Sequence, residues 1–332
     1  MRLPPEFITN IHNAFGEEGK AFLADLPAQI DEASQRWGLT EIQPVENLSY
    51  NFVATALRAS TALPTDRYAQ REEIVLKIGV PHLELTGEIT ALRLLNGEGV
   101  VKLIEADEAR GMLLLERVRP GLMLSTLEDD EQATHIAADV MLRLWRPLPL
   151  ESNGLPPEIL EHTLSGTRTP GLQKKFIKLT DWFDGLKKLR PAFGGGTGPF
   201  PEKLVARVEE TLPRLYTESS PPCLIHGDFH HFNILSSESS WVAIDPKGVI
   251  GHPEYDVGPL MINPWGSFLN GANPRVQTQR RLSILSERLG FPHQRLLDWA
   301  LCHAVLSAWW DTQPDGTGGE YSLRCAELFA SL

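Results

Sequence analysis

The spacing of apolar residues changes character once along the chain, at Arg119-Pro120-Gly121, and that change restricts the fold more than any other feature. Ahead of it, apolar residues come in short runs: Glu41–Val45, Tyr50–Leu57, Glu73–Ile78, Val100–Ala106 and Met112–Val118. Runs this short, rich in Val, Ile and aromatic residues, predict strands. A polar turn around Pro64–Asp66 separates the second from the third. Two helical patterns accompany them. One runs from Lys20 to Trp37 and stops at Gly38; the other runs from Leu83 to Asn96, with Leu85, Ile89, Leu92 and Leu95 on one face and Gly97 as its stop. Beyond the switch the pattern becomes amphipathic and long. It predicts helices over Asp130–Arg146, Leu172–Leu189, Glu202–Tyr216, Arg275–Leu289, Arg295–Asp311 and Tyr321–Leu332. Pro147–Pro157 and Gly194–Pro199 read as loops, Cys223–His226 and Trp241–Asp245 as short strands, and Phe232–Leu235 as a candidate third. A chain of 332 residues exceeds what one hydrophobic core usually serves. The expectation is an α+β protein of two lobes: residues 1–118, β-rich with one main helix, and residues 119–332, mostly helical.

Charge and cysteine usage narrow the partners. With 31 Lys+Arg against 43 Asp+Glu, the net charge of −12 disfavours a grip on nucleic acid or an anionic membrane and is compatible with a cationic ligand. Cys223, Cys302 and Cys325 are odd in number and far apart, which suits neither a disulfide framework nor a zinc site and points to a reducing compartment. The first twenty residues lack an apolar core segment, and Trp299–Trp310 is too short to span a bilayer, so a cytoplasmic location is expected.

The chemistry is concentrated in His226-Gly227-Asp228-Phe229-His230-His231-Phe232-Asn233, followed twelve residues later by Asp245. Phosphoryl transfer needs a positioned hydroxyl and a divalent metal across the phosphates, and little covalent work from the protein. A carboxylate near the acceptor suits Asp228; an amide oxygen and a second carboxylate, Asn233 and Asp245, suit Mg²⁺, a hard cation that prefers oxygen. Lys77 sits among apolar residues of a strand, where a buried ammonium needs a partner. Glu84 and Glu88 lie one helical turn apart, and Glu88 adjoins the apolar face.

The spelling HGDFHHFN…IDPKG…PEYDVGPL resembles the aminoglycoside phosphotransferase branch of the protein-kinase-like fold, and within it the aminoglycoside/hydroxyurea resistance kinases. The resemblance implies an ATP-dependent phosphotransferase with Asp228 as base, Asn233 and Asp245 as Mg²⁺ ligands, and Asp256 propping the catalytic loop. It implies that Lys77, held by Glu88, meets the ATP phosphates and that main-chain atoms near Glu116 and Val118 meet adenine. Glu46–Phe52 stands where a glycine-rich phosphate loop would lie but holds no glycine, so either Ser49 and Asn51 donate to the phosphates instead or the segment is a plain hairpin turn. His230 is within reach of the γ-phosphate or packs the loop, and His226 is a scaffold residue. The implied acceptor is a hydroxylated small molecule such as an aminoglycoside, taken up by a monomer or homodimer. Asp181, Asp184, Asp311 and Asp315 are surface carboxylates that could face it, while Trp299, His303, Leu306 and Trp310 share a core-facing helical stripe. Two rival readings remain at this point: a hydrolase metal centre built on His226, Asp228, His230 and His231, and a kinase-like scaffold without activity.

Overall fold

The computed structural model describes residues 3–59, 71–147 and 176–332. Helix α1 (Pro5–Trp37) is followed by β1 (Leu39–Pro44), β2 (Phe52–Ala59), β3 (Arg71–Ile78), helix α2 (Leu83–Leu95), β4 (Leu103–Asp107) and β5 (Met112–Glu116). The five strands form one sheet in the order β1-β2-β3-β5-β4, antiparallel throughout. Period-two burial divides its two faces. Phe52, Ala54 and Ala56 pair with Ile78, Leu76 and Ile74, and all six are buried in a cluster with Phe7, Ile11, Phe22 and Leu26 of α1. The other face carries Val75, Lys77, Leu113 and Leu115; there Leu85, Ile89 and Leu92 of α2 join the larger core of the second lobe.

The helical run begins at Pro5, fifteen residues ahead of the expected Lys20, and is interrupted at Gly16, whose φ 53° and ψ −124° are non-helical, so that two helical pieces meet at a kink there. Gly38 closes it as expected, with φ 64°. Helix α2 is closed by Asn96 rather than Gly97, its N–H donating back to Leu92 O. Strand β5 stops at Glu116, short of Val118, and Val100 forms only an isolated bridge to Ala243 across the lobes. The Pro64–Asp66 turn and residues 148–157 lie outside the described residues.

The second lobe opens with β6 (Pro120–Met123), which the sequence pattern does not announce, and α3 (Asp130–Leu144), capped by Asp129 on two backbone N–H groups. Within the described residues the helix expected over Leu172–Leu189 is broken into β7 (Ile177–Lys178), α4 (Leu179–Asp184), a 3-10 turn and α5 (Leu189–Ala192). The reason is tertiary: Ile177 and Lys178 pair in parallel with a strand further on. After α6 (Glu202–Glu218) come β8 (Cys223–Ile225), β9 (Ile234–Ser237), β10 (Trp241–Ala243) and β11 (Val249–Gly251). They make two small sheets, β10-β9-β6 and β7-β11-β8. Helices α7 (Val257–Met261), α8 (Pro274–Leu289), α9 (His293–Asp311) and α10 (Glu320–Ala330) complete the lobe around a core centred on Trp299, Leu301 and Leu306 of α9. No helix among the described residues is long and apolar enough to cross a membrane.

Candidate active site

Two short hairpin connections bring the sequence-distant polar residues together. The turn after β8 carries His226, Gly227 and Asp228; the 3-10 turn His231–Asn233 leads into β9, and β10 runs back to Asp245. The ladder pairs Ala243 with Ile234 and continues one step further, Ile244 N–H donating to Asn233 O at 2.9 Å. Asn233 and Asp245 therefore lie side by side at the open end of the hairpin. The amide nitrogen of Asn233 donates to Asp228 O at 3.0 Å, which fixes the amide's orientation, and it lies 3.3 Å from His230 Nε2. Its amide oxygen accepts no hydrogen bond among the described residues.

His226 is the rivet of this arrangement. Its Nε2–H donates to Ile244 O at 2.9 Å, its Nδ1 accepts the Asp228 N–H at 3.2 Å, and its carbonyl accepts the Lys247 N–H at 2.8 Å. Both ring bonds together require the neutral imidazole, and burial holds the pKa down to about 4. Below it Asp256, 0% exposed, accepts three N–H groups: Gly227 at 2.8 Å, His226 at 3.0 Å and the Trp145 indole at 3.0 Å. Burial nevertheless raises its carboxyl to about 6. Trp145 has no motif around it, so nothing in the sequence points to it; Asp256 is where the resemblance puts it.

Asp228 projects half-exposed from this turn, with Oδ1 3.5 Å from His230 Nε2. Burial opposes its charge, but His230, Lys247 and His226 outweigh that and hold the carboxyl well below its usual range, so it is ionised. His230 Nδ1 is buried with no partner among the described residues.

The first lobe contributes a cation to the same cleft. Lys77, on the α2-facing side of β3 and 5% exposed, has its ammonium 2.7 Å from both oxygens of Glu88 and bonded to Asp245 Oδ1. Burial works against the Lys77 charge, yet Asp245 and Glu88 raise its pKa. Glu88 is 4% exposed, and burial pushes its carboxyl up to about 7 against the pull of Lys77. Asp245 is held well below the ordinary carboxylate range because Lys247 and Lys77 overcome its burial. Its backbone sits in the left-handed region at φ 60°, a conformation uncommon outside glycine that Asp adopts more readily than most residues.

Other expected residues lie at the margin. Ser49 is exposed on the turn before β2, and no hydrogen bond of its hydroxyl is found among the described residues; Asn51 Oδ1 lies 2.1 Å from where a Cβ of Gly79 would be, so the glycine that this turn requires stands on the neighbouring strand end. The Glu116 carboxylate accepts the Lys102 N–H at 2.8 Å and the Glu116 N–H donates to Lys102 O at 3.0 Å, so both of these groups are committed within the lobe. Asp184 is paired with Lys187 at 2.7 Å and Asp315 with Thr317. On α9, Trp299, His303 and Leu306 are buried as expected, but Trp310 is 49% exposed. It meets Trp182 edge-on at 5.5 Å, and Trp182 in turn covers Gly227, where a Cβ would come within 3.0 Å of its Cη2. An aromatic ledge thus borders the Asp228 turn. The sequence places Trp310 in the core because helical spacing does not reveal that α4 stops short of covering it.

The hydrolase alternative fails on this geometry. His226 has both ring nitrogens committed to backbone, His231 is buried 2% exposed in another direction beside the Arg281 charge, and no group of three or more His, Cys, Asp or Glu side chains among the described residues is placed to hold a metal. Asn233 and Asp245 instead bring two hard oxygen donors side by side, a donor type that suits Mg²⁺, with the Asp245 carboxylate shared in this structure by Lys77 and Lys247.

The chain is 28% identical to a streptomycin 6-kinase of Streptomyces glaucescens over 96% of its own length and 92% of the relative's. It is 28% identical to a hydroxyurea phosphotransferase of Kitasatospora aureofaciens, over 94% and 81%. The fold is similar to that of a choline kinase from Streptococcus pneumoniae, with a TM-score of 0.57, 15% identity, and coverage of 92% of this chain and 99% of the other. Residues 56–316 match the aminoglycoside/hydroxyurea antibiotic resistance kinase family across both lobes and the whole of the 226–256 constellation, and the chain belongs to that family.

Proposed function

We propose that this ATP-dependent phosphotransferase uses Mg²⁺ to move the γ-phosphoryl group onto a hydroxyl of an aminoglycoside or a related hydroxylated small molecule. The observation that carries the reading is the convergence of Lys77, Glu88 and Asp245 from two lobes on the same cleft as Asp228 and Asn233. Asn233 and Asp245 would hold the metal, whose charge neutralises the developing charge on the phosphates. Lys77, kept charged and aimed by Glu88, binds the α- and β-phosphates. Asp228, ionised and half-exposed, orients the acceptor hydroxyl and accepts its proton late, as suits a loose transition state in which little basicity is required. His230 supports Asp228 from 3.5 Å and is within reach of the terminal phosphate, while His226 and Asp256 fix the turn. Main-chain groups of Glu116 and Val118 receive the adenine edge, and Ser49 lies in the turn over the phosphates. The lobes divide at residues 118/119 for this purpose, with the cleft between them.

The acceptor side is the Trp182–Trp310 ledge, with Asp181 and Asp311 next to the two indoles in the chain. Indole faces and carboxylates together favour a cationic sugar. Streptomycin and hydroxyurea, the acceptors named for the relatives, are the first compounds to test. Purified protein is incubated with ATP and Mg²⁺ and each acceptor, and a phosphorylated product is sought by mass spectrometry. Transfer that stops when Mg²⁺ is chelated supports the reading; ATP binding with no transfer to any hydroxylated acceptor supports the inactive scaffold instead.

A further inference from the structure

Two ammonium groups share one carboxylate in the cleft. Lys77 holds Asp245 Oδ1, and Lys247 Nζ lies 3.0 Å from Oδ2, so neither oxygen is open to a metal while both lysines stay. The lysines differ in what else restrains them. Lys77 cannot withdraw without stranding the buried Glu88 carboxylate that grips it through both oxygens. Lys247 has as its other partner Glu84 Oε1, at 3.1 Å, on a side chain that is 39% exposed. Water can replace Lys247 at Glu84, whereas Glu88 is too deeply buried for water to replace Lys77 there.

The backbone under Lys247 is fixed, and its ammonium is held by the carboxylates of Asp245 and Glu84. Its N–H donates to His226 O, Asp245 before it is left-handed, and Gly248 after it has φ 61° and lies against Gly87, where a Cβ would come within 2.4 Å of the Gly87 carbonyl oxygen. The turn Glu46–Phe52 holds no glycine, so a glycine-rich loop over a triphosphate is absent and cationic side chains carry more of that charge. Lys247 stands between the two carboxylates that bracket the transfer, bonded to Asp245 and within the electrostatic reach of Asp228.

We propose that Lys247 is a phosphate-binding residue of the transfer reaction, which holds the outer oxygen of Asp245 until nucleotide binds, yields it to the metal, and then sets its ammonium on the terminal phosphate oxygens. This rests on the phosphotransfer reading above. In the step itself the acceptor oxygen bonds to the γ-phosphorus, the bond from that phosphorus to the β,γ-bridging oxygen breaks, ADP leaves, and the hydroxyl proton passes to Asp228. Lys247 stays protonated throughout, neither giving nor taking a proton.

Two full-length variants test it: Lys247→Met, similar in length but neutral, and Lys247→Arg, which keeps the charge. Mn²⁺ affinity without nucleotide is measured by the spin resonance of the free ion, ATP affinity by calorimetry, and turnover with the best acceptor. Lys247→Met should bind Mn²⁺ about tenfold tighter than wild type, because the competing ammonium is gone. It should lose about 10²-fold or more in kcat, and Lys247→Arg should recover most of that loss. Unchanged or weaker Mn²⁺ binding by Lys247→Met overturns the proposal, as does wild-type kcat in that variant. A wild-type protein that binds ATP and Mn²⁺ but phosphorylates nothing would instead sink the phosphotransfer reading, and the metal comparison would still report whether Lys247 competes for Asp245.

Discussion

Acidification should loosen the catalytic turn through one side chain, His226. In the folded protein its Nδ1 accepts the Asp228 N–H and its Nε2–H is spent on Ile244 O, so a second ring proton has no acceptor and breaks the first bond. Burial accordingly holds its pKa down to about 4, against about 6.5 in an unfolded chain. The sign follows from linkage: between those values the unfolded chain binds more protons, so stability rises with pH through the window. The contribution is present in full above about 6.5 and is lost as pH falls toward about 4. Between about pH 7 and about pH 5 the loss from this group is about 2 kcal/mol. His226→Gln removes the titration while keeping a polar side chain. Urea unfolding at the two pH values gives a stability difference for each protein, and other titrating groups, including the buried His303, cancel in the comparison. Wild type should lose about 2 kcal/mol more than the variant. Equal losses in the two proteins would mean that the imidazole is not held neutral, and the rivet described for the turn would be wrong.

Further outcomes follow from the same contacts. Asp256→Asn replaces one of two acceptor oxygens by a donor facing three N–H groups, and should cost about 2–4 kcal/mol in urea unfolding, with faster amide exchange at Gly227 than at the core of α9. Lys77→Met should abolish the rise in melting temperature that ATP and Mg²⁺ confer on wild type; an unchanged rise would count against its contact with phosphate. Gly248→Ala puts a methyl group 2.4 Å from Gly87 O at a left-handed position, and should both destabilise the protein, by about 2 kcal/mol or more, and lower turnover, since it lifts the Asp245 loop off α2.

Much of the architecture is legible in the sequence because it rests on local periodicity. Phe52, Ala54 and Ala56 alternate as a half-buried strand must, and Leu85, Ile89 and Leu92 mark the α2 face that fixes Glu88, rather than Glu84, as the partner of Lys77. Glu84 finds its own cation, Lys247, on the opposite side of Asp245. The misses have non-local causes. Strand β6 exists because β9 offers it an edge, and Pro120-Gly121-Leu122-Met123 has no alternation of its own. The broken helix near Leu179 yields to pairing with β11, and the Trp145–Asp256 bond joins residues that are 111 positions apart. Asn233 and Asp245 could be paired from spacing because one short hairpin carries both. The ledge of Trp182 and Trp310 could not, because it depends on how two helices end.

The most direct measurement is the turnover of Asp228→Asn with a phosphate acceptor that wild type uses. The change keeps the shape of the side chain and removes its charge and its ability to take the hydroxyl proton, so the variant should fold, still bind ATP and Mg²⁺, and lose about 10²–10⁴-fold in kcat. An Asp228→Asn protein that transfers phosphate at the wild-type rate would contradict the account, whatever the nucleotide affinity.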